Sequence, residues 1–266
     1  MSKLVQDEKP QNTNGDSHIA DPNRKWEFDK DVTDAFSMMI SSSIPDCRNM
    51  RKWVQSLASN HLRTRVDPEH MRGVTYARTG SALDIGASRG DAVADLVADY
   101  PMCRFHLVEI SKPMVTVLHQ RFADSNNVRV VEGDMSEEPT LVNSSRRGHD
   151  LAMSILTLMF VPIECRQRVV QAVYDSLLPG GMFIVVEKTM GETVVGQELL
   201  VAQYHAFKMA SGYTAENVER KRLSLKGSLV PTKPSWVEEM LRDAGFVHVT
   251  RFWQALQFVG WVAFKQ

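Results

Sequence analysis

The chain has 266 residues, 43% hydrophobic and 24% charged, a globular make-up that excludes a disordered or fibrous polymer and suits one large α/β domain with a tail. With 31 basic against 32 acidic residues the formal net charge is −1, which gives no global electrostatic case for wrapping DNA or RNA. The three cysteines, Cys47, Cys103 and Cys165, are distant and form no CxxC pair, so neither a disulfide framework nor a zinc site is expected and a reducing, cytoplasmic setting is the default.

Residues 1–24 hold few aliphatics; they cannot offset their ordering entropy and are expected to form a mobile tail before a single domain over 25–266. The start is polar, so no secretory leader is expected, and no apolar run approaches the roughly 18 residues of a membrane span. Trp26, Phe28, Val32, Phe36, Met39 and Ile40 predict a helix from residue 29 that Ser43-Ile44-Pro45 stops, then a second helix over 48–64 and a turn at Asp67-Pro68. Beyond Gly80 short apolar runs alternate with helical stretches: strands at 82–85, 105–109, 128–131, 150–156 and 182–186, helices at 91–100, 113–122 and 163–177, and a Leu178-Pro179-Gly180-Gly181 turn. Such alternation implies βαβ units with right-handed crossovers and a parallel sheet covered on both faces. After a helix over 234–244, the runs 247–253 and 257–264 are joined too closely to be parallel. Residues 188–233 are too long for a plain connection and predict a helical lid, with helices near 192–211 and 215–225.

Five parallel strands closed by a terminal hairpin resemble the Rossmann-like class I methyltransferase fold, an α/β seven-stranded sheet of order 3-2-1-4-5-7-6. The segment Asp84-Ile85-Gly86-Ala87-Ser88-Arg89-Gly90 lies where a strand turns into a helix. Gly86 would let the backbone approach a ligand, and the helix start favours an anionic group. Ser88 replaces the second glycine of a dinucleotide loop, which weakens the case for NAD. Glu109, 25 residues after Asp84, ends the second strand and can accept from both ribose hydroxyls. Asp134 can accept from an adenine amino group while Met135 flanks the ring. Acids at three successive strand ends suit S-adenosylmethionine, whose ammonium and sulfonium are cationic.

From about Trp26 to Lys265 the sequence resembles the carboxy-S-adenosylmethionine synthases of that superfamily. The resemblance rests on the Asp84–Gly90 loop with its serine, Glu132-Gly133-Asp134, Glu187-Lys188, and a lid reading His205-x-Phe207-Lys208, Ser211-Gly212-Tyr213 and Lys221-Arg222. It implies that S-adenosylmethionine and prephenate give carboxy-S-adenosylmethionine and phenylpyruvate, prephenate's carboxylate leaving as carbon dioxide and the S-methyl carbon becoming a carboxymethyl group, and that the product feeds modification of wobble uridine in tRNA. It implies that Gly86, Ala87 and Ser88 line the methionine moiety, that Glu109 and Ile110 hold the ribose and adenosine, and that Asp134 and Met135 flank adenine. It also implies that Arg222 meets the new carboxylate from the other subunit of a homodimer, so Arg222 is the candidate catalytic residue. The chain departs from the family pattern at Glu109, an aspartate there, at Ile155, an asparagine, and at Cys47, a tyrosine.

Other readings stay open. Glu219-Arg220-Lys221-Arg222 could be a solvated helix face, and His205 a packed helical residue rather than a base. Ile155 and Cys47 keep alive an ordinary methyltransferase acting on a small molecule or tRNA, and a binding protein with a degenerate cofactor pocket. No Asn/Asp-Pro-Pro-aromatic run follows the fourth strand, which disfavours methylation of DNA bases, and no H-E-x-x-H or H-x-x-x-D spacing suggests a metal.

Overall fold

The computed structural model describes residues 26–66, 79–137 and 148–266; the expected tail and the Asp67-Pro68 turn lie outside them. Two helices, α1 (Lys30–Ser43) and α2 (Cys47–Val66), precede a seven-stranded sheet ordered β3-β2-β1-β4-β5-β7-β6. Its strands are β1 (Ser81–Ile85), β2 (Arg104–Glu109), β3 (Val128–Glu132), β4 (His149–Ile155), β5 (Leu177–Lys188), β6 (Val247–Ala255) and β7 (Phe258–Phe264). The first five run parallel; β7 is antiparallel to both β5 and β6. The predicted order is therefore the observed one.

Alternation along the strands sorts the core into two layers. Met182, Ile184 and Val186 of β5 face α2, whose Met50, Val54, Ala58 and Leu62 recur at helical spacing and are buried there. Phe183 and Val185 face the opposite way, toward Val169, Val170 and Val173 of α5 (Ile163–Ser176) and Val237 and Leu241 of α8 (Pro234–Asp243). α1 begins at an N-cap in which Asp29 Oδ1 accepts from Val32 N at 3.0 Å. It packs Val32 and Met39 with Trp26 over the carboxyl end of the sheet.

Two boundaries differ from the sequence reading. Residues 91–93 form a turn, so α3 spans only Ala94–Asp99. Leu178–Gly181 is not a separate turn: Leu177 pairs with His149 and Met182 with Leu151, so these four residues bulge from one continuous strand. The bulge needs both glycines, because Gly180 has φ +73° and a Cβ at Gly181 would lie 2.8 Å from Leu178 O; it is tied to the chain end by Lys265 N donating to Gly181 O at 2.9 Å and Gly180 N to Lys265 O at 2.8 Å. The lid holds α6 (Val194–Ala210) and α7 (Ala215–Ser224), N-capped by Thr193 and Thr214; α4 (Lys112–Arg121) is capped by Ser111. Among the described residues no helix is long and apolar enough to cross a membrane.

Candidate active site

The chain leaves β1 through a loop with three left-handed residues, Gly86 (φ +71°), Ser88 (φ +53°) and Gly90 (φ +77°). Gly86 N and Ala87 N both donate to Val108 O, at 2.8 and 3.1 Å, which hangs the loop on the end of β2. A Cβ at Gly90 would lie 2.6 Å from the Phe122 ring, so glycine is needed for close packing on α4. A Cβ at Gly86 would fall inside the Thr157 side chain. Thr157 and the positive φ therefore demand glycine at this position in their own right, beside any ligand that approaches its backbone.

Glu109 is buried at the end of β2 with both oxygens engaged. Oε2 accepts from Ser88 N at 2.7 Å and Oε1 from Ser111 N at 2.8 Å. Each oxygen keeps a second lone pair for a hydroxyl. Asp84 lies beside it, and its Oδ2 has no partner among the described residues. Burial and the neighbouring Glu109 charge push the Asp84 carboxyl up to about 7. Beyond β3, Asp134 Oδ1 accepts from Ser136 N at 2.7 Å and Ser136 Oγ at 2.6 Å, which fixes the turn before the buried Met135.

Asp84, Gly86, Ala87, Ser88, Glu109, Ile110, Asp134 and Met135 all line a single cavity of about 1110 Å³ at the carboxyl ends of β1–β5. That is where open α/β sheets bind ligands, and it exceeds the roughly 300–1,000 Å³ of a pocket for one small molecule. S-adenosylmethionine fits the donor set: Asp84 Oδ2 suits an ammonium, Glu109 suits a ribose diol, and the Ser88 hydroxyl is a further buried group without a hydrogen-bond partner among the described residues.

A family model described as a methyltransferase domain matches residues 82–181, the segment that carries this loop and these strand ends. The chain is an S-adenosylmethionine-dependent transferase with the class I methyltransferase fold. Its relatives include the carboxy-S-adenosyl-L-methionine synthase of Chromohalobacter salexigens, 29% identical over 245 residues that cover 90% of this transferase and 83% of that protein. The synthase of Staphylococcus epidermidis is 28% identical, covering 91% and 97%. Among solved structures, an O-methyltransferase family protein of Burkholderia thailandensis shares the fold at TM-score 0.59 and 16% identity, over 90% of this chain and 60% of that one. The CurJ carbon methyltransferase does so at 0.52 and 14%, over 79% and 58%. The transferase therefore spans about three fifths of the length of those two structures.

Arg222, the candidate catalytic residue, is not among the residues lining the transferase's cavity. It is exposed on α7 and forks onto Glu219, Nε to Oε2 at 2.7 Å and Nη2 to Oε1 at 2.6 Å. Ile155 does line the cavity. Cys47, the first residue of α2, is buried in the core, where burial raises its thiol above the usual range, and it does not line the cavity. Sequence reasoning missed Lys188, Lys208 and Lys221 as a group: all three line the cavity, one from the end of β5 and two from the lid. The signal lay in Tyr204 and Lys208, one helical turn apart, with Lys188 directly after a buried strand.

The raised Asp84 carboxyl gives the transferase a pH signature. Its folded value lies above the unfolded 3.8, so its contribution to stability is complete below about pH 4 and is lost as pH rises through about 7. A cationic ligand instead requires the ionised form. S-adenosylhomocysteine affinity is expected to rise nearly tenfold per pH unit below 7 and to level off above it. Calorimetric titrations between pH 5.5 and 8.5 measure this; an Asp84→Asn variant that keeps the same slope would refute the assignment.

Proposed function

We propose that the transferase makes carboxy-S-adenosyl-L-methionine from S-adenosylmethionine and prephenate, as a cytoplasmic homodimer whose product feeds modification of wobble uridine in tRNA. The observation that carries this reading is the extent of the likeness to the synthases. A match covering 90% of the chain must run through the 188–233 lid, not only through the nucleotide-binding half shared across the superfamily. The balance is cofactor plus prephenate to carboxymethyl cofactor, phenylpyruvate and water: the carboxylate lost as carbon dioxide joins the S-methyl carbon, and the hydroxide expelled as the ring aromatises takes the methyl proton. Asp84 and Glu109 hold the cofactor's cationic and ribose ends, while Asp134 and Met135 bracket the adenine.

In this reading Arg222 meets the new carboxylate across a subunit boundary, which agrees with its position outside its own chain's cavity. The outer face of the lid supports such an assembly: Val194, Val195 and Leu199 on α6 are 75%, 77% and 70% exposed, more apolar surface than a solvated helix needs. Ile155 favours a second reading, ordinary methyl transfer, because it offers no hydrogen bond where the synthases place an amide.

Native mass spectrometry of the purified protein tests both levels together. A mass of two chains carrying two carboxymethyl cofactors is expected. Plain S-adenosylmethionine retained after incubation with prephenate would favour the second reading, and a monomer that retains the carboxymethyl ligand would remove Arg222 from the site.

A further inference from the structure

S-adenosylmethionine ends in a zwitterion that needs both signs of charge. Asp84 Oδ2 suits its ammonium. The α-carboxylate beside that ammonium is an anion entering the acidic side of the cavity, where Asp84, Asp91, Glu109 and Asp134 all line the wall. It needs a cation there, because a charge taken out of water without a partner is strongly disfavoured. Among the described residues the cations lining the cavity are Arg51, Lys112, Lys188, Lys208 and Lys221. Lys188 ends β5, Lys208 and Lys221 stand on the lid, and Lys112 opens α4 beyond Glu109. Arg51, on α2, is the one set against the loop that follows β1.

α2 buries Met50 and Val54 against the sheet, and Arg51 and Gln55 follow them at the edge of that face, where both line the cavity. Arg51 Nη2 stands 3.9 Å from Asp91 Oδ2, the residue just past Gly90. That ion pair is too long for a hydrogen bond, and Asp91 Oδ2 is a buried oxygen without a hydrogen-bond partner among the described residues. Asp91 is fixed from its other side: Arg121 Nη1 donates to its Oδ1 at 2.5 Å and to Arg89 O at 2.9 Å. The next acid, Asp95, is engaged by Gln55 Nε2 at 2.5 Å. Arg89 Nη1 donates to Thr33 O at 3.4 Å, and Arg89 does not line the cavity. Asp91 thus steadies the Arg51 guanidinium and leaves its fork of N–H groups to donate elsewhere. A second, independent observation is the Ser88 hydroxyl on the same loop, a buried group that lines the cavity and has no hydrogen-bond partner among the described residues.

We propose that Arg51 receives the α-carboxylate at the methionine end of the cofactor, with the Ser88 hydroxyl as the second donor. A guanidinium presents parallel N–H groups that match a carboxylate in a bidentate pair. The zwitterion is then gripped from two directions, its ammonium by Asp84 at the end of β1 and its carboxylate by Arg51 from α2. α2 lies outside residues 82–181, the segment matched by the methyltransferase-domain model. The N-terminal helices therefore supply a contact to the cofactor as well as a cover for the sheet. That contact selects adenosyl compounds that carry an amino-acid chain over nucleosides that lack one. The proposal rests on the cofactor alone and is independent of which reaction the cofactor then undergoes.

Calorimetry at pH 8, where the Asp84 carboxyl is ionised, tests this with three ligands. S-adenosylhomocysteine carries both charges, its decarboxylated analogue keeps only the ammonium, and 5′-methylthioadenosine has neither. Arg51→Met should weaken S-adenosylhomocysteine about tenfold and leave the other two ligands within about twofold. The Arg51 side chain is 43% exposed, so water screens the pair and holds the loss near tenfold. Arg51→Lys should recover part of the loss, because a point charge remains but the fork does not. Ser88→Ala should show the same selectivity at a smaller size. An Arg51→Met variant that binds S-adenosylhomocysteine within twofold of the wild type overturns the proposal. Equal losses for S-adenosylhomocysteine and its decarboxylated analogue overturn it as well, since they would mean that Arg51 shapes the pocket and does not meet the carboxylate. Should Arg51→Met melt early, the comparison of ligands on that one variant still decides, because partial unfolding weakens all three alike.

Discussion

Replacing Glu109 with alanine should lower S-adenosylhomocysteine affinity about 100-fold or more. The carboxylate is placed to accept two ribose hydroxyls, and hydrogen bonds to a charged group contribute about 1.5–3 kcal/mol each. At about 1.4 kcal/mol per factor of ten, two of them give 100-fold at the low end. The same side chain also braces the site, because its oxygens accept from Ser88 N and Ser111 N. Alanine frees the loop after β1 and the start of α4 together, leaving two backbone donors to find other partners. Glu109→Asp, which keeps the charge on a shorter stem, should lose much less. Calorimetry reads the affinity and a thermal melt reads the bracing; an alanine variant within threefold of wild type would show that the ribose is held elsewhere.

The second large effect is on folding. Gly86→Val forces a β-branched residue to φ +71° and drives its Cβ into Thr157. The left-handed conformation costs roughly 1–2 kcal/mol for an ordinary residue and more for a branched one, and overpacking typically adds about 1–3 kcal/mol. The expected loss is therefore about 3 kcal/mol or more in denaturant unfolding. Gly86→Ala separates the two parts: Thr157→Ala removes the contacts to Thr157 Cγ2 and Oγ1 and leaves only that to its Cβ at 2.9 Å, so the steric share should fall while the conformational share persists. If Gly86→Ala unfolds like the wild type and loses only cofactor affinity, then the ligand, and not Thr157, is what requires the glycine.

The two predictions mark where sequence reasoning was strong and where it stopped. Asp84, Glu109 and Asp134 were legible because each follows a short apolar run, and the carboxyl ends of parallel strands converge by topology. The strand order followed from the closeness of the last two strands, which admits only an antiparallel pair. Gly86 was singled out for a ligand, but its packing on Thr157 was not legible, since nothing near it in sequence announces a residue 71 positions on. The 178–181 bulge was hidden because Pro-Gly-Gly has the chemistry of a turn, and only pairing with β4 and the end of the chain makes it strand. The lysines were illegible as a group for a physical reason. Charged residues on a helix are ordinarily solvated, and Lys208 and Lys221 are buried only because α6 and α7 fold back over the sheet toward Lys188.

The lid is closed at its own base. Thr189 bridges Thr232, Met190 N donates to Thr232 O at 3.0 Å, and Glu192 accepts from Ser235 N at 3.0 Å across the same junction. Arg166 clasps Val230 O at 2.7 Å while also holding Met159 O and Val161 O. Chain enters and leaves the 188–233 segment through adjacent, mutually tethered positions. The sheet therefore registers the segment much as it would a short hairpin, and its length adds only slowly to the entropy of closure. A segment joined this way behaves as an interchangeable cassette. Evolution, or an engineer, can exchange the roof of the cavity between those tethers for one with other charges while the nucleotide floor keeps its register.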